Sequence, residues 1–168
     1  MEEKNDSGII SNFQFLGYKV DSFKVKNKNK VMNILNYFKG NENWMSSISV
    51  RQPTLYKTDL LFLGGIRLVL ALHEDTIEAK DRSIDNALIS LDCSIVGLFK
   101  IIDIKDFENN KKVYEDLGKY QIPAILSPYL RATVTSYFAN AGYGSFMFPL
   151  INFTQIAHDD NVKLEIVE

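Results

Sequence analysis

The chain has very little of the chemistry that most enzymes use. Of its 168 residues only one is cysteine and only two are histidine. The single cysteine, Cys93, excludes an intramolecular disulfide and a cysteine-based zinc site. Nothing in the sequence places His73 or His158 beside a nucleophile, and Gly64-Gly65 lacks the further glycines and the lysine of a phosphate-binding loop. We predict that the protein is not an enzyme and requires no metal and no cofactor.

Neither an excess of one charge nor a long apolar run is present. With 19 basic and 21 acidic residues, bulk charge gives no reason to expect nucleic-acid binding. The longest apolar stretch, Leu60–Leu72, is interrupted by Gly64, Gly65 and Arg67 and is too short to cross a membrane. The polar opening MEEKNDSG does not lead into the apolar run of a signal peptide. We predict a cytoplasmic protein that does not insert into a membrane.

The length of the chain suits one domain over residues 1–168. Residues 1–8 and 160–168 are predicted to be flexible, although KLEIV near the end has the composition of a short strand.

Three segments alternate in the manner of β-strands. Phe13–Lys26 changes the parity of its apolar residues twice, and Gly17 at the first change indicates a β-bulge. Apolar residues occupy the even positions of 66–72 and the odd positions of 87–95, which include Cys93. Asp92 and its neighbouring serines point the other way. The pattern predicts an antiparallel sheet with one buried and one wet face, and a packed rather than a reactive thiol.

The clearest periodic signal is helical and runs from Ile122 to Phe138, where apolar residues recur at spacings of three and four. Ser127-Pro128 predicts the start of this helix, and Gly142 follows its predicted end.

The opposite face of the predicted helix is unusual because its side chains are small and almost uncharged. Such residues let a second backbone approach closely, whereas a surface helix of a monomer normally presents charges to water. We predict that this face contacts a partner subunit; the alternative is a helix covered on both sides within one domain. The predicted interface residues are Arg131, Ala132, Thr135, Ser136 and Ala139.

The segment ILSPYLR…TSYFANAGYGSFMFPLINFTQI resembles the C-terminal signature of the SecB protein-export chaperones. The matching residues are Pro128, Tyr129, Arg131, Gly142, Phe148, Pro149, Asn152 and Phe153. The segments FQFLGYKVDSFKVK and ALISLDCSIVGLFKI resemble the first and last strands of that family, whereas residues 27–63 match poorly. The resemblance implies an α+β fold, in which a four-stranded antiparallel sheet carries a long C-terminal helix on one face and a short lid helix.

The resemblance also implies a function. Members of that family hold precursor proteins unfolded without ATP, in grooves lined by aromatic residues, and assemble through the long helices. The chain is therefore expected to be an ATP-independent holdase and a homodimer or homotetramer. The alternative is a peptide-binding adaptor on the same fold with one fixed partner. The client-binding residues that carry over are Tyr37, Phe38, Trp44, Phe146, Phe148, Ile151, Phe153 and Ile156.

SecB delivers its clients to the SecA motor through an acidic sheet surface, and the counterparts here are Asp21 and Asp92. Lysines dilute this surface, among them Lys24 and Lys26, and they are either a solvated strand edge or a docking surface for an acidic partner. We therefore expect weak binding to SecA. The expected partners are unfolded clients, together with SecA or, in better agreement with the weak acidity, a toxin or antitoxin protein.

Overall fold

The computed structural model describes residues 13–28, 44–74, 76–102, 107–143, 151–152, 155–156 and 162–168. Its strands are β1 (Phe13–Asn27), β2 (Trp44–Tyr56), β3 (Leu61–Leu72), β4 (Ile89–Ile101) and β5 (Glu165–Val167). Its helices are α1 (Phe107–Asp116) and α2 (Ile122–Asn140), which the π-helical segment Leu117–Gln121 joins. Two short 3-10 turns, Ala79–Asp81 and Ile84–Asn86, lie between β3 and β4.

The described strands form one sheet in the order β1-β4-β3-β2-β5. All neighbours are antiparallel except β5, which runs parallel to β2. The α+β class with a long helix on one face agrees with the expectation. The expected sheet of four antiparallel strands was wrong in number and in type, because the end of the chain adds a fifth, parallel strand.

The fifth strand comes from the segment that was predicted to be flexible. Glu165–Val167 pairs with Thr54–Tyr56, and the Thr54 hydroxyl donates a hydrogen bond to the Glu165 carboxylate at 3.2 Å. Beyond the strand, Lys57 Nζ lies 2.9 Å from a Glu168 carboxylate oxygen. Glu165–Val167 is thus the short strand that the composition of KLEIV indicated, and it is held by backbone pairing at the edge of β2.

The core lies between the sheet and α2. Even positions of β3 and odd positions of β4 face the helix, as their alternation predicts, and Ile66, Leu68 and Ile95 are fully buried there. The helix contributes one fully buried residue in every four: Ile122, Leu126, Leu130, Val134 and Phe138. Burying such a row is the main stabilising contribution of an amphipathic helix.

A pair of glycines lets α2 lie close to the sheet. Gly64 of β3 and Gly97 of β4 are register partners on the face that meets the helix. A Cβ atom on Gly64 would lie 2.7 Å from Ile122, and one on Gly97 would lie 2.7 Å from Leu126. Larger residues at either position would push the helix away from the strands.

The helix begins earlier than predicted, at Ile122, so Pro128 lies inside it and Pro123 takes the position near the N-terminus. A proline in a helix removes one backbone donor and usually bends the helix. Here Ala124, whose carbonyl would have accepted that hydrogen bond, is exposed, as is Pro128. Water can therefore satisfy the freed carbonyl, and this lowers the cost of the proline.

Strand β1 carries two irregularities of register, between Phe15 and Gly17 and between Val20 and Ser22. The first coincides with the glycine that predicted a bulge, and Gly17 has a φ of +154°. The two changes in apolar parity thus correspond to two bulges in one strand, which increase its twist and redirect its side chains.

Candidate functional site

Five aromatic side chains surround the C-terminal end of α2, and we call them the C-terminal aromatic cluster: Phe23, Trp44, Tyr137, Phe138 and Tyr143. Phe138 is fully buried and lies at the centre. Its ring centroid is 6.0 Å from that of Trp44, 5.8 Å from that of Tyr137 and 5.7 Å from that of Tyr143, all edge-on. Phe23 of β1 contacts Tyr137 at 5.0 Å.

The four outer rings of this cluster are half-buried, so each shows part of its surface to solvent. Tyr143 is fixed at the end of the helix, because its N–H donates to the Phe138 carbonyl at 3.0 Å and its hydroxyl accepts a hydrogen bond from Asn27 Nδ2 at 2.6 Å. Aromatic rings supply large contact area with little directional demand. The cluster is therefore suited to receive apolar side chains from an extended segment.

Of the residues predicted to bind clients, the structure describes Trp44, Ile151 and Ile156. Trp44 belongs to the C-terminal aromatic cluster, while Ile151 is half-buried and packs against the same core. Ile156 is half-buried, and its N–H donates to the Asn152 carbonyl at 3.3 Å in a helical turn that follows Ile151. The remaining predicted residues lie outside the described ranges: Tyr37, Phe38, Phe146, Phe148 and Phe153.

A second group of rings lies between β1 and α2. Tyr129 contacts Tyr18 at 4.5 Å and Phe15 at 5.3 Å, and Phe13 stacks on Phe99 at 4.9 Å. Tyr18 is 42 % exposed, which leaves apolar surface along the outer edge of the sheet. These residues were not predicted from the sequence to belong to the site, although the aromatic alternation of β1 and the two-turn spacing of Tyr129 and Tyr137 could have indicated them.

The outer face of α2 is turned away from the sheet, as its composition predicts. Arg131, Ala132, Ser136 and Ala139 are exposed, and Thr135 is half-buried. Apart from Arg131, these side chains are small, and they lie on the side opposite the buried row, so a second helix could approach them without a steric conflict.

The two carboxylates predicted to dock a partner are each bound to an arginine. Asp92 accepts two hydrogen bonds from Arg67, at 2.8 and 2.7 Å, and Asp21 accepts one from Arg51. The hydrogen bond from Arg67 holds the pKa of the Asp92 carboxyl below its usual range, and that from Arg51 does the same for Asp21. Both groups stay ionised at neutral pH, but their charge is compensated within the chain, which weakens them as an acidic surface.

No protein-family model matches the sequence, and no curated protein matches it. Among solved structures, the fold is similar to that of the Mycobacterium tuberculosis SecB-like chaperone Rv1957, solved in complex with a ChAD peptide from the Rv1956 HigA1 antitoxin. The similarity has a TM-score of 0.54 at 11% sequence identity and covers 83% of this chain and 91% of that one. The chain has a SecB-like fold. The similarity supports the SecB-like fold that the C-terminal sequence pattern implied, although the sheet has five strands instead of four, and 11% identity carries no residue-by-residue correspondence.

The solved structure that this fold resembles is that of a chaperone, which belongs to a non-enzyme class. Among the described residues, no group of three histidine, cysteine or carboxylate side chains could hold a metal ion. No described helix is long and apolar enough to cross a membrane.

Cys93 lies in the centre of the SecB-like sheet and is fully buried. Burial, and secondly the negative charge of Asp92, raises the pKa of its thiol to about 11. The thiolate is the reactive form, so we expect a disulfide reagent to leave folded protein unmodified at pH 7 to 8 and to modify the denatured chain at once. A Thr58→Cys variant, with a thiol at an exposed turn, is the control and should react while folded. Rapid modification of Cys93 under native conditions would contradict this packing.

Proposed function

We propose that the protein is an ATP-independent holdase of SecB-like fold, which binds unfolded or partly folded segments of client proteins. The observation that carries this proposal is the C-terminal aromatic cluster, whose four half-buried rings surround one buried ring at the end of α2. Among the described residues, no group of side chains that could hold a metal ion accompanies these rings. Apolar area without directional chemistry suits the capture of many segments rather than the conversion of one substrate.

The client site that we propose combines the described Trp44, Ile151 and Ile156 with Tyr37, Phe38, Phe146, Phe148 and Phe153, which were predicted from the sequence. The similar Mycobacterium tuberculosis chaperone was solved with an antitoxin peptide. This favours, for the present chain, a dedicated client such as an antitoxin over general export through SecA. The arginine partners of Asp21 and Asp92 favour the same choice. We place this activity in the cytoplasm, where a client of this kind would be met before it folds.

The assembly that we propose is a homodimer or homotetramer in which the outer face of α2 meets its copy. Its small, exposed side chains support this arrangement. A helix that packs against a sheet on one side and a copy of itself on the other needs no charged face.

Trp44 is the only tryptophan of the chain, so it reports on the proposed site without a label. We expect an apolar peptide to shift the Trp44 emission to shorter wavelength and to saturate, because binding removes water from a half-buried ring. A peptide with serine in place of its apolar residues should produce no shift. If calorimetry shows that an apolar peptide binds but the Trp44 emission does not change, the client site does not include Trp44.

A pair of variants makes this test specific. Tyr143→Ala removes an outer ring of the cluster, and we expect it to weaken peptide binding about tenfold, as loss of an aromatic anchor commonly does. Tyr56→Ala removes a half-buried ring from the opposite side of the sheet and is the matched control. Equal weakening in both variants, at equal thermal stability, would contradict the proposed location.

The alternative function is that of an adaptor with one fixed partner. The two functions differ in the number of unrelated proteins that the chain binds. A holdase should suppress the aggregation of several unrelated denatured proteins in the absence of ATP. Suppression restricted to one protein, or absent, would favour the adaptor.

A further inference from the structure

The side of the sheet opposite α2, which we call the open face, differs in charge from the chain as a whole. Strand register places six basic and three acidic side chains of the described strands on it, a surplus of three positive charges. The entire chain carries a net charge of −2. The basic residues are Lys19, Lys24, Lys26, Arg51, Arg67 and Lys100, and the acidic residues are Asp21, Asp92 and Glu165.

The acidic members of the open face are occupied by partners within the chain. Asp21 and Asp92 bind arginines, and Glu165 accepts a hydrogen bond from Thr54. By contrast, Lys24 and Lys26 are exposed, and neither forms a salt bridge within 4 Å of a described carboxylate. Lys24 lies opposite Asp92 and, after Arg67, helps to lower the pKa of that carboxyl, but its ammonium group remains accessible to a partner. The side chains of Lys24 and Lys26 project from the same face of β1, and the two residues lie about 7 Å apart along the strand. The positive charge that is available to a partner is therefore concentrated on this strand.

The same face contains a cavity of about 360 Å³ at the first bulge of β1. The bulge creates it: Leu16 is the extra residue, and no atom lies within 4 Å of the position that a Cβ on Gly17 would take. Leu16 is 51 % exposed although its surroundings are aliphatic. The lining residues are Leu16, Gly17, Tyr18, Lys19, Leu63, Val96, Gly97 and Leu98.

We propose that the open face binds an extended acidic segment of a partner protein, with one large apolar side chain of that segment in the cavity. An extended segment that runs along β1 repeats its side chains at the spacing of Lys24 and Lys26. The cavity and Lys24 lie about eight residues apart on β1, so the anchor and the acidic pair should be separated by a similar number of positions. Complementary charge would direct the encounter, and the aliphatic cavity would fix the register.

The geometry favours a peptide over the other polyanions. A single-stranded nucleic acid would require rings on which bases stack, and the one ring at the cavity, that of Tyr18, lies against Tyr129 on the helix side. Duplex DNA would use the lysines alone and leave the aliphatic cavity empty. An anionic membrane would require apolar side chains that protrude into it beside the basic groups, whereas the apolar site of the open face is concave. This surface is distinct from the proposed client site, because Trp44 and the other rings of the C-terminal aromatic cluster face α2.

The test uses the full chain and a fluorescent synthetic peptide that carries leucine as anchor and two glutamates in the proposed register. We expect binding that weakens when salt is raised from about 50 mM to about 300 mM. Lys24→Glu with Lys26→Glu should lower affinity about tenfold or more. Lys111→Glu with Lys112→Glu makes the same change in net charge on the exposed side of α1 and should leave the affinity within about twofold.

The cavity is tested separately. Leu16→Ser should lower affinity about fivefold at both salt concentrations, because the loss is apolar. Val113→Ser removes an apolar side chain that is 55 % exposed on α1, and it should have no effect. If the double charge reversal fails to fold, as judged by its melting curve, Lys24→Gln with Lys26→Gln replaces it, with a smaller expected loss in the same direction.

Several results would overturn the proposal. The first is equal affinity for a peptide in which lysines replace the glutamates, and the second is an equal loss with the control pair on α1. Tighter binding of duplex DNA or of anionic lipid vesicles than of the peptide would assign the basic surface to another class of ligand. A change of oligomer mass on Leu16→Ser without a change in peptide affinity would assign the cavity to a second copy of the chain. Because Tyr143→Ala leaves the open face intact, this proposal and the holdase proposal fail independently.

Discussion

Replacing Phe138 by alanine is expected to lower the free energy of unfolding by about 3–5 kcal/mol. Phe138 is fully buried at the end of the row by which α2 meets the sheet. Its ring contacts those of Trp44, Tyr137 and Tyr143, so its removal leaves a cavity that these partners can fill only by leaving their own contacts. A loss of this size is a large fraction of the stability of an ordinary domain. Chemical denaturation, followed by circular dichroism, measures it.

The neighbouring residue supplies the control for this prediction. Tyr137 precedes Phe138 on the helix but is half-buried at the surface of the cluster, so Tyr137→Ala should cost clearly less. Similar losses in the two variants would show that the cluster is either buried throughout or exposed throughout. In either case the distinction between a packed centre and an accessible rim, on which the proposed client site depends, would be wrong.

The double substitution Ala132→Asp with Ser136→Asp is expected to dissociate the proposed oligomer. Both positions are exposed in the subunit, so the fold should persist. Across a helix–helix interface between two identical subunits, the four new carboxylates would outnumber the two Arg131 side chains. At least two carboxylates would therefore be buried without a cation, and an unpaired buried charge costs several kcal/mol. Light scattering at micromolar concentration should therefore give the mass of a smaller species, with an unchanged circular-dichroism spectrum.

The matched control adds the same charge at two other exposed positions, Gln52→Asp and Thr58→Asp, which lie in β2 and in the turn that follows it. These substitutions should not alter the mass. A monomeric mass for the unmodified protein would refute the proposed assembly directly. If the double variant Ala132→Asp with Ser136→Asp keeps the oligomer mass of the unmodified protein, the interface lies on another surface.

The β-strands could be predicted well wherever one face is buried. Alternation identified β3 and β4 and assigned Asp92 to the wet side, because a period of two leaves only one register that buries the apolar side chains. Gly17 and the parity changes in β1 indicated its irregular register for the same reason. The strand bounds were less accurate: β4 begins at Ile89 and extends to Ile101, beyond the predicted end at Ile95.

The beginning of the long helix could not be predicted from Ser127-Pro128. That dipeptide is a common helix start, but the preference is a local one. The four-residue repeat of buried side chains starts at Ile122, and docking it onto Gly64 and Gly97 outweighs the cost of an internal proline whose freed carbonyl faces water. The composition of KLEIV indicated the strand β5, but its parallel pairing was inaccessible, because the pairing partner lies more than a hundred residues earlier in the chain.

The sequence by itself determined which face of each strand and of α2 is apolar. It follows that one helix covers one side of an antiparallel sheet. Side-chain periodicity is a local property, and burial enforces it. What only the tertiary structure decided is which groups meet. It brings Phe23 and Trp44 to the end of α2, pairs Arg51 with Asp21 and Arg67 with Asp92, and places Leu16 at a cavity on the same face of the sheet as Lys24 and Lys26. Those contacts join residues that are far apart in sequence, so no local pattern encodes them.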